Sequence, residues 1–262
     1  HMEHRLEFAT GLAKKAGNLL CEYFERAAVD TRYKADRTVV TEADVAADRL
    51  IAGEIHDAFP EDGILSEELQ PDYQAGAGQN GLWIVDPLDG TTNFSLGLHH
   101  WGVLIAWLAG GVPQVGVQYF PLVEELYTAE RGRGAFLNGD AIHTQPPDPK
   151  RPTAFFSCCS RTHRRYHVNV PYKTRILGSA AYTFCAVARG MALVGFEATP
   201  KVWDIAAGWL LVQEAGGVVE TLDESRPFPV SPAIDYAKQS FPVLCTATAE
   251  LAGASRRQIR PR

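Results

Sequence analysis

The run Trp83-Ile84-Val85-Asp86-Pro87-Leu88-Asp89-Gly90-Thr91-Thr92-Asn93-Phe94 constrains this chain more than any other stretch. Apolar residues lead straight into a carboxylate, the pattern of a strand buried on both faces. Pro87 has no N–H to give a sheet, so the ladder breaks there, and a second carboxylate follows at Asp89. Carboxylates three apart on a tight turn converge on one point, with the Leu88 carbonyl between them. Oxygen donors so arranged suit a hard divalent cation such as Mg2+. Gly90-Thr91-Thr92 then reads as a helix start, whose free N–H groups and dipole favour a phosphate. Metal-type ligands beside an anion-binding helix end point to phosphoryl chemistry. Taken alone, D-x-x-D-G is more often a turn whose Asp side chains cap the backbone.

The surroundings decide between the two. Upstream, the apolar spacing of Glu3 to Ala28 predicts a helix with one buried face. A polar stretch, Asp30 to Arg37, contains Lys34. Thr41-Glu42-Ala43-Asp44 reads as a capping box opening a second helix, with Ala47, Leu50, Ile51, Ile55 and Phe59 as its core face and Pro60 as its stop. Strand patterns follow at Ile64-Leu65, Leu82 to Val85, Val103 to Trp107, Gln114 to Phe120 and Leu126 to Ala129. The last two read as a hairpin around Pro121, with Gly132, Gly134 and Asn138-Gly139 as turns. The Gly-containing stretch Gln74 to Gly81 reads as an exposed loop and lacks the Gly-Lys-Ser/Thr of a P-loop.

Gln145-Pro146-Pro147-Asp148-Pro149-Lys150 is the best linker. It divides the chain into residues 3–146, which carry most of the candidate ligands, and residues 147–262, which complete the site. The second part alternates: strand Ala154 to Cys158, strand Thr174 to Leu177, helix Ala180 to Arg189, strand Leu193 to Glu197, helix Trp203 to Ala215, then strands Val218 to Leu222 and Val243 to Thr246. That is mixed α/β layering. The basic tail Ser255 to Arg262 reads as a solvated end.

Charge and composition exclude several functions. With 25 Lys+Arg against 31 Asp+Glu, the net charge of −6 leaves no footprint for sequence-blind nucleic-acid binding and no polybasic membrane surface. No apolar run reaches the roughly 18–20 residues of a bilayer span. His1-Met2 is read as a leftover of cloning and set aside, and the start has no signal-peptide pattern. Five cysteines without a CxxC pair suit reduced thiols in a cytoplasmic protein.

The strand-to-helix run resembles, at essentially every position, a signature of the inositol monophosphatase family of Mg2+-dependent, lithium-sensitive sugar-phosphate phosphatases. Other pieces match in order: Lys34 and V-T-E-A-D ending in Asp44; Ser66-Glu67-Glu68; Gly178-Ser179-Ala180-Ala181; Glu197; Trp203-Asp204-Ile205-Ala206-Ala207-Gly208; and Glu214-Ala215-Gly216-Gly217. The resemblance spans nearly the whole chain. It implies the five-layered αβαβα sandwich of the inositol monophosphatase/fructose-1,6-bisphosphatase type and a homodimer. It further implies that Glu67, Asp86, the Leu88 carbonyl, Asp89 and Asp204 ligate two or three Mg2+ ions. Glu67 and Thr91 would deprotonate the attacking water, and Asp44 would hydrogen-bond the Thr91 hydroxyl. Gly90 and Thr91 N–H groups would hold the phosphate. Asp89, Gly178, Ser179, Ala180, Glu197 and Asp204 would meet the substrate's alcohol part.

Metal-activated water removes the need for a Ser or Cys nucleophile, so no covalent intermediate is expected. Plainer readings stand beside these roles. The capping box alone explains Asp44, Trp203-Asp204 fits a helix start, Glu68 and Lys34 fit solvated charges, His99-His100 fit a loop, and Cys158-Cys159 fit the core. The short segment Ser160 to Pro171 carries Arg161, His163, Arg164, Arg165 and His167. Its arginines, with Lys201, could meet a second negative group or only solvent. Leu193 makes one wall more apolar than in much of the family. The expected activity is hydrolysis of inositol 1-phosphate or a similar sugar or polyol phosphate. Fructose 1,6-bisphosphate, nucleotide 3′,5′-bisphosphate and histidinol phosphate are alternatives, and a regulatory protein on the same scaffold is the non-enzyme alternative.

Overall fold

A computed structural model describes residues 2–30, 37–68, 81–150 and 154–262. Lys34 and the loop expected at Gln74 to Gly81, up to residue 80, lie outside the described residues. Two helices, α1 (Met2–Asp30) and α2 (Arg37–Ala58), lead into a seven-stranded sheet. Its strands are β1 (Gly63–Ser66), β2 (Leu82–Asp89), β3 (Gly102–Ala109), β4 (Val112–Phe120), β5 (Glu125–Glu130), β6 (Gly134–Leu137) and β7 (Asp140–Ile142), in that spatial order. β1 and β2 are parallel and the rest antiparallel. A short helix, α3 (Thr91–Leu96), follows β2.

The second sheet holds β8 (Phe155–Cys158), β10 (Lys173–Arg175), β11 (Ala192–Glu197), β12 (Val218–Thr221) and β13 (Val243–Thr246), in the order β10-β8-β11-β13-β12. Between them in sequence lie α4 (Thr162–Arg165), β9 (Tyr166–Val168), α5 (Ala180–Ala188) and α6 (Val202–Glu214). The chain ends in α7 (Ala249–Gln258) and β14 (Ile259–Pro261).

Side-chain alternation explains the stacking. Trp83, Val85, Val103, Ile105 and Trp107 face α1 and α2, burying Ala9, Leu12, Ala16, Leu20, Ala47, Ile51 and Ile55. Their neighbours Leu82, Ile84, Leu104, Ala106 and Leu108 face the opposite way, into a core with α5 and α6. Val219, Val243 and Cys245 of the second sheet join that same core. The outer face of the second sheet presents Phe156, Val194, Phe196 and Leu244 to Leu251 of α7 and Ile259 of β14. The result is the five-layered αβαβα sandwich. Gly116 of β4 permits the close central contact: a Cβ there would lie 2.9 Å from the Ala207 carbonyl of α6.

Three details differ from the sequence expectations. α2 begins at Arg37, so Thr41 lies a full turn inside the helix and the capping-box start is wrong. Helical backbone continues through the threonine, which a helix interior tolerates at modest cost. The strand expected at Thr174 to Leu177 is β10, Lys173–Arg175. The basic tail is not a free end: Ile259 is buried, and β14 pairs antiparallel with β9. Its arginines stay at the surface while their backbone supplies the ladder, which charge counting cannot detect.

Candidate active site

β2 carries two carboxylates into the seam between the sheets. Pairing of β2 with β3 shifts register between Asp86 and Asp89, where Pro87 interrupts the ladder. The Leu88 N–H donates to Asp86 Oδ1 at 3.2 Å, so the turn is closed by the carboxylate itself. Gly90 follows at φ 83, in the left-handed region, and a Cβ there would lie 2.8 Å from the His100 carbonyl. Both facts demand glycine before Thr91 opens α3.

The other half delivers Asp204 from the first turn of α6, where its Oδ2 accepts the Lys201 N–H at 2.7 Å. Asp86, Asp89 and Asp204 then offer carboxylate oxygens all within 4.8 Å of one another. Glu67, just beyond β1, lies close enough to hydrogen-bond Asp86. Burial pushes Asp86 well above the usual carboxylate range, and Glu67, Asp204 and Asp89 add to the effect. Burial and then Asp204 push Asp89 to about 8, against the Ser179 hydroxyl. Burial and Asp204 likewise bring Glu67 to about 7. Burial also raises Asp204, partly offset by Asp86 and the Lys201 N–H.

Like charges gathered this tightly are unfavourable without a counter-ion. Among the described residues no lysine or arginine forms an ion pair with any of the three aspartates. An all-oxygen, anionic donor set of this kind fits a hard divalent cation.

The substrate-side residues are positioned by α5. The Ser179 hydroxyl caps that helix by accepting the Tyr182 N–H at 3.1 Å, and it donates to Asp89 Oδ2. One turn later, the Thr183 hydroxyl donates to Glu197 Oε1 at 2.7 Å. Glu197, at the end of β11, is buried, which pushes it to about 8. Gly178 has φ 80, and a Cβ there would lie 2.4 Å from Asn93 Oδ1. A cleft of ≈ 540 Å³ joins these groups, lined by Glu67, Asp86, Asp89, Thr91, Glu197 and Asp204 among others. Gly90, Leu88, Gly178, Ser179 and Ala180 also line it.

Some expected members stand elsewhere. Asp44 is buried on α2 beside Glu67 and Glu68. Burial, then those two charges, brings it to about 8. Its Oδ1 has no hydrogen-bond partner, and no hydrogen bond joins Asp44 to the Thr91 hydroxyl among the described residues. Lys201 occupies the N-cap of α6 and is not among the cleft-lining residues. His99 and His100 lie in a loop, with the His100 ring edge-on to Tyr182 at 4.6 Å. Cys158 is core, but Cys159 is half-buried and both line the cleft, so the reading of both as plain core is corrected for Cys159. Residue-by-residue reading missed Asn93. Its Nδ2 donates to the carbonyls of His100, at 2.7 Å, and Leu177, at 2.8 Å, bolting α3 to the short segment between β10 and Gly178. The signal was present in its place within the signature.

A five-layered αβαβα sandwich with acidic side chains converging between its sheets defines the class: layered α/β phosphatases. The chain belongs to the inositol monophosphatase family, whose model matches residues 1–259. It is 38% identical over 224 residues to a histidinol-phosphatase of Chlorobaculum parvum, covering 81% of this chain and 83% of the relative. It is 37% identical over 229 residues to Nus factor SuhB of Escherichia coli, covering 83% and 85%. Among solved structures, an inositol monophosphatase from Anabaena matches with a TM-score of 0.74 at 26% identity, over 99% of this chain and 97% of that one. No helix among the described residues is long and apolar enough to cross a membrane.

Proposed function

We propose that this phosphatase is a Mg2+-dependent phosphomonoesterase of inositol 1-phosphate or a similar sugar or polyol phosphate. The observation that carries the reading is the convergence of Asp86, Asp89 and Asp204, with no lysine or arginine ion-paired to them among the described residues, in a cleft that also reaches Glu67 and Thr91. Glu67, Asp86, the Leu88 carbonyl, Asp89 and Asp204 would hold two or three ions. Bound there, Mg2+ lowers the pKa of a coordinated water and neutralises charge on the leaving oxygen.

The chain's own groups do the rest. Glu67 and Thr91 orient the attacking water and take its proton. The N–H groups of Gly90 and Thr91 hold phosphate oxygens. Asp89, Gly178, Ser179, Ala180 and Glu197 meet the alcohol, with Asp204 beside them, and residues 3–146 and 147–262 each contribute a wall. The Ser179 hydroxyl is committed to Asp89, and burial holds the Cys158 thiol at about 12, so neither of these two is set up as a covalent nucleophile. The enzyme is proposed to work as a cytoplasmic homodimer.

The test is phosphate release from a panel of phosphorylated metabolites, with Mg2+, with EDTA and with excess Li+. Hydrolysis that persists in EDTA refutes the metal reading. The histidinol-phosphatase relative makes histidinol phosphate the second member of the panel. The SuhB relative, named as a Nus factor, makes a regulatory role the outcome if no phosphate ester is hydrolysed.

A further inference from the structure

The Arg/His-rich segment after β8 carries five basic side chains, Arg161, His163, Arg164, Arg165 and His167, and of these only Arg161 is among the described cleft-lining residues. Arg161 lines it, while Arg164, Arg165 and His163 are exposed and absent from its walls. Among the described cleft-lining residues Arg161 is the sole basic one, beside the acids Glu67, Asp86, Asp89, Glu197 and Asp204.

Its position is fixed by its surroundings. Cys158 is buried on the strand behind it, and Thr162, next in sequence, has no exposed surface. The Arg161 carbonyl accepts the N–H groups of Arg164 and Arg165, at 3.1 and 3.2 Å, within α4. The segment is braced from outside by β14: the Arg262 N–H donates to the Arg165 carbonyl at 2.9 Å, and Arg262 Nε donates to the His163 carbonyl at 3.0 Å. The guanidinium is anchored in turn, since Nη1 donates to Thr199 Oγ1 at 3.0 Å.

That anchor decides which part of a substrate Arg161 can meet. Thr199 lies two residues past Glu197, and β8 and β11 run parallel, with Cys158 opposite Phe196. The guanidinium therefore stands at the ends of these strands, on the Glu197 side of the cleft. Gly90 and Thr91 belong to the other sheet's wall. Glu197 forms no ion pair with it, nor does any other acid among the described residues, and Glu197 Oε1 accepts the Thr183 hydroxyl. One N–H is spent on Thr199, which leaves the rest of the planar donor fork for an acceptor.

We propose that Arg161 is a specificity-determining residue that selects phosphate esters carrying a second anion, a carboxylate or another phosphate, on the alcohol part. The inference rests on the phosphatase reading above and names the substrate class of that same cleft. A cationic alcohol part would be repelled by the guanidinium, so phosphorylated amino alcohols are disfavoured.

The test compares two esters with one carbon skeleton, 3-phosphoglycerate and glycerol 3-phosphate, which differ by a carboxylate in place of a hydroxymethyl group. With Mg2+, the wild-type enzyme is expected to favour 3-phosphoglycerate in kcat/KM by about tenfold, or about 1.4 kcal/mol. In Arg161→Gln the ratio falls to near one, through a higher KM for 3-phosphoglycerate. Arg161→Lys keeps part of the preference, because charge survives without the fork. Thr199→Val keeps the cation but loses its anchor, and so lowers the ratio even if the arginine variants fold poorly. A wild-type preference for glycerol 3-phosphate, or a ratio unchanged in Arg161→Gln, overturns the inference and leaves the phosphatase reading intact. An arginine that touched the scissile phosphate would weaken both esters equally, which is that second outcome. Release of phosphate from neither ester, nor from any other in the panel, overturns both.

Discussion

Asp86→Asn should make the metal-free protein more stable while abolishing phosphate release. Asparagine keeps the side-chain shape and an oxygen able to accept the Leu88 N–H, bonded at 3.2 Å in the structure. What it removes is one charge from a group of three carboxylates whose oxygens lie within 4.8 Å. At that separation each fully ionised pair repels by ~3.5 kcal/mol at an effective dielectric constant of about 20. Protonation relieves part of this, since Asp89 titrates at about 8 and Asp86 is raised as well. A net gain of about 2 kcal/mol near pH 8 is therefore expected, or about 5 °C in Tm for a chain of this size.

The pH dependence follows from the direction of the shift. A carboxylate whose folded pKa is raised costs the fold nothing below its unfolded value, near 3.8. The cost grows as pH climbs from there to the raised value and levels off above it. The variant's advantage should thus be smaller at pH 5 than at pH 8, and vanish only below about 3.8, where the unfolded chain carries the proton as well. Thermal unfolding of both proteins in EDTA, at the two pH values, measures this directly. Adding Mg2+ should then raise the wild-type Tm and leave the variant little changed, reversing their order. A metal-free variant less stable than wild type at pH 8, or an equal gain at both pH values, would sink the electrostatic argument.

The stabilisation that Mg2+ gives the wild type should itself grow from pH 5 to pH 8, because Glu67 at about 7 and Asp89 at about 8 must lose protons to bind it; calorimetric titration across that range checks the slope. Asp62→Ala should cost about 3–5 kcal/mol in denaturant unfolding, the usual toll of breaking a buried charge pair. The Asp62 carboxylate accepts Arg5 at 2.9 Å, Trp83 Nε1 at 2.9 Å and Trp107 Nε1 at 3.1 Å, and its loss orphans all three. An unfolding free energy within about 1 kcal/mol of wild type would show that solvent replaces them. Gly178→Ala should fold but raise KM for every ester at least about tenfold, an effect of about 1.4 kcal/mol. Its Cβ would meet Asn93 Oδ1 at 2.4 Å from a φ of 80, so the wall must move; an unchanged KM would mean that the wall yields without moving the substrate contacts.

The layered architecture was legible because its central strands are apolar on both faces. Leu82 to Val85 and Val103 to Trp107 alternate between two cores, which leaves no polar face and demands cover on each side. The carboxylates were legible because proline and glycine force the backbone where they stand. The N-terminus of α2 was not, since Thr41-Glu42 carries the chemistry of a cap in a place where the helix has already formed. α7, β9 and β14 escaped notice for a different reason. Arg256 pairs with Glu220 at 2.6 Å, and the remaining charges face water, so the pairing of β14 with β9 runs through the backbone and leaves no mark on composition. Asn93 was hidden by distance: its partner at Leu177 is 84 residues away, and only the fold brings the two together.

The division of labour at the site now has a physical reason. Asp89 belongs to the first sheet and Glu197 to the second, yet hydroxyls of one helix hold both. Ser179 and Thr183 are four residues apart, so they lie on the same face of α5, one turn above the other. The Ser157 hydroxyl bonds Thr183 at 2.8 Å and ties the same turn to β8. A helix sandwiched between the sheets, apolar elsewhere along its length, thus sets the spacing between the carboxylate that would share metal and alcohol and the carboxylate that would meet the alcohol alone. Loops could not hold that spacing, because their backbone has no packed layer on each side. Burying α5 between two sheets is the structural cost of fixing two acids from separate sheets against one substrate. Arg161 stands on the Glu197 side of that spacing, where by the proposal above a second anion would be told apart from the phosphate being cleaved.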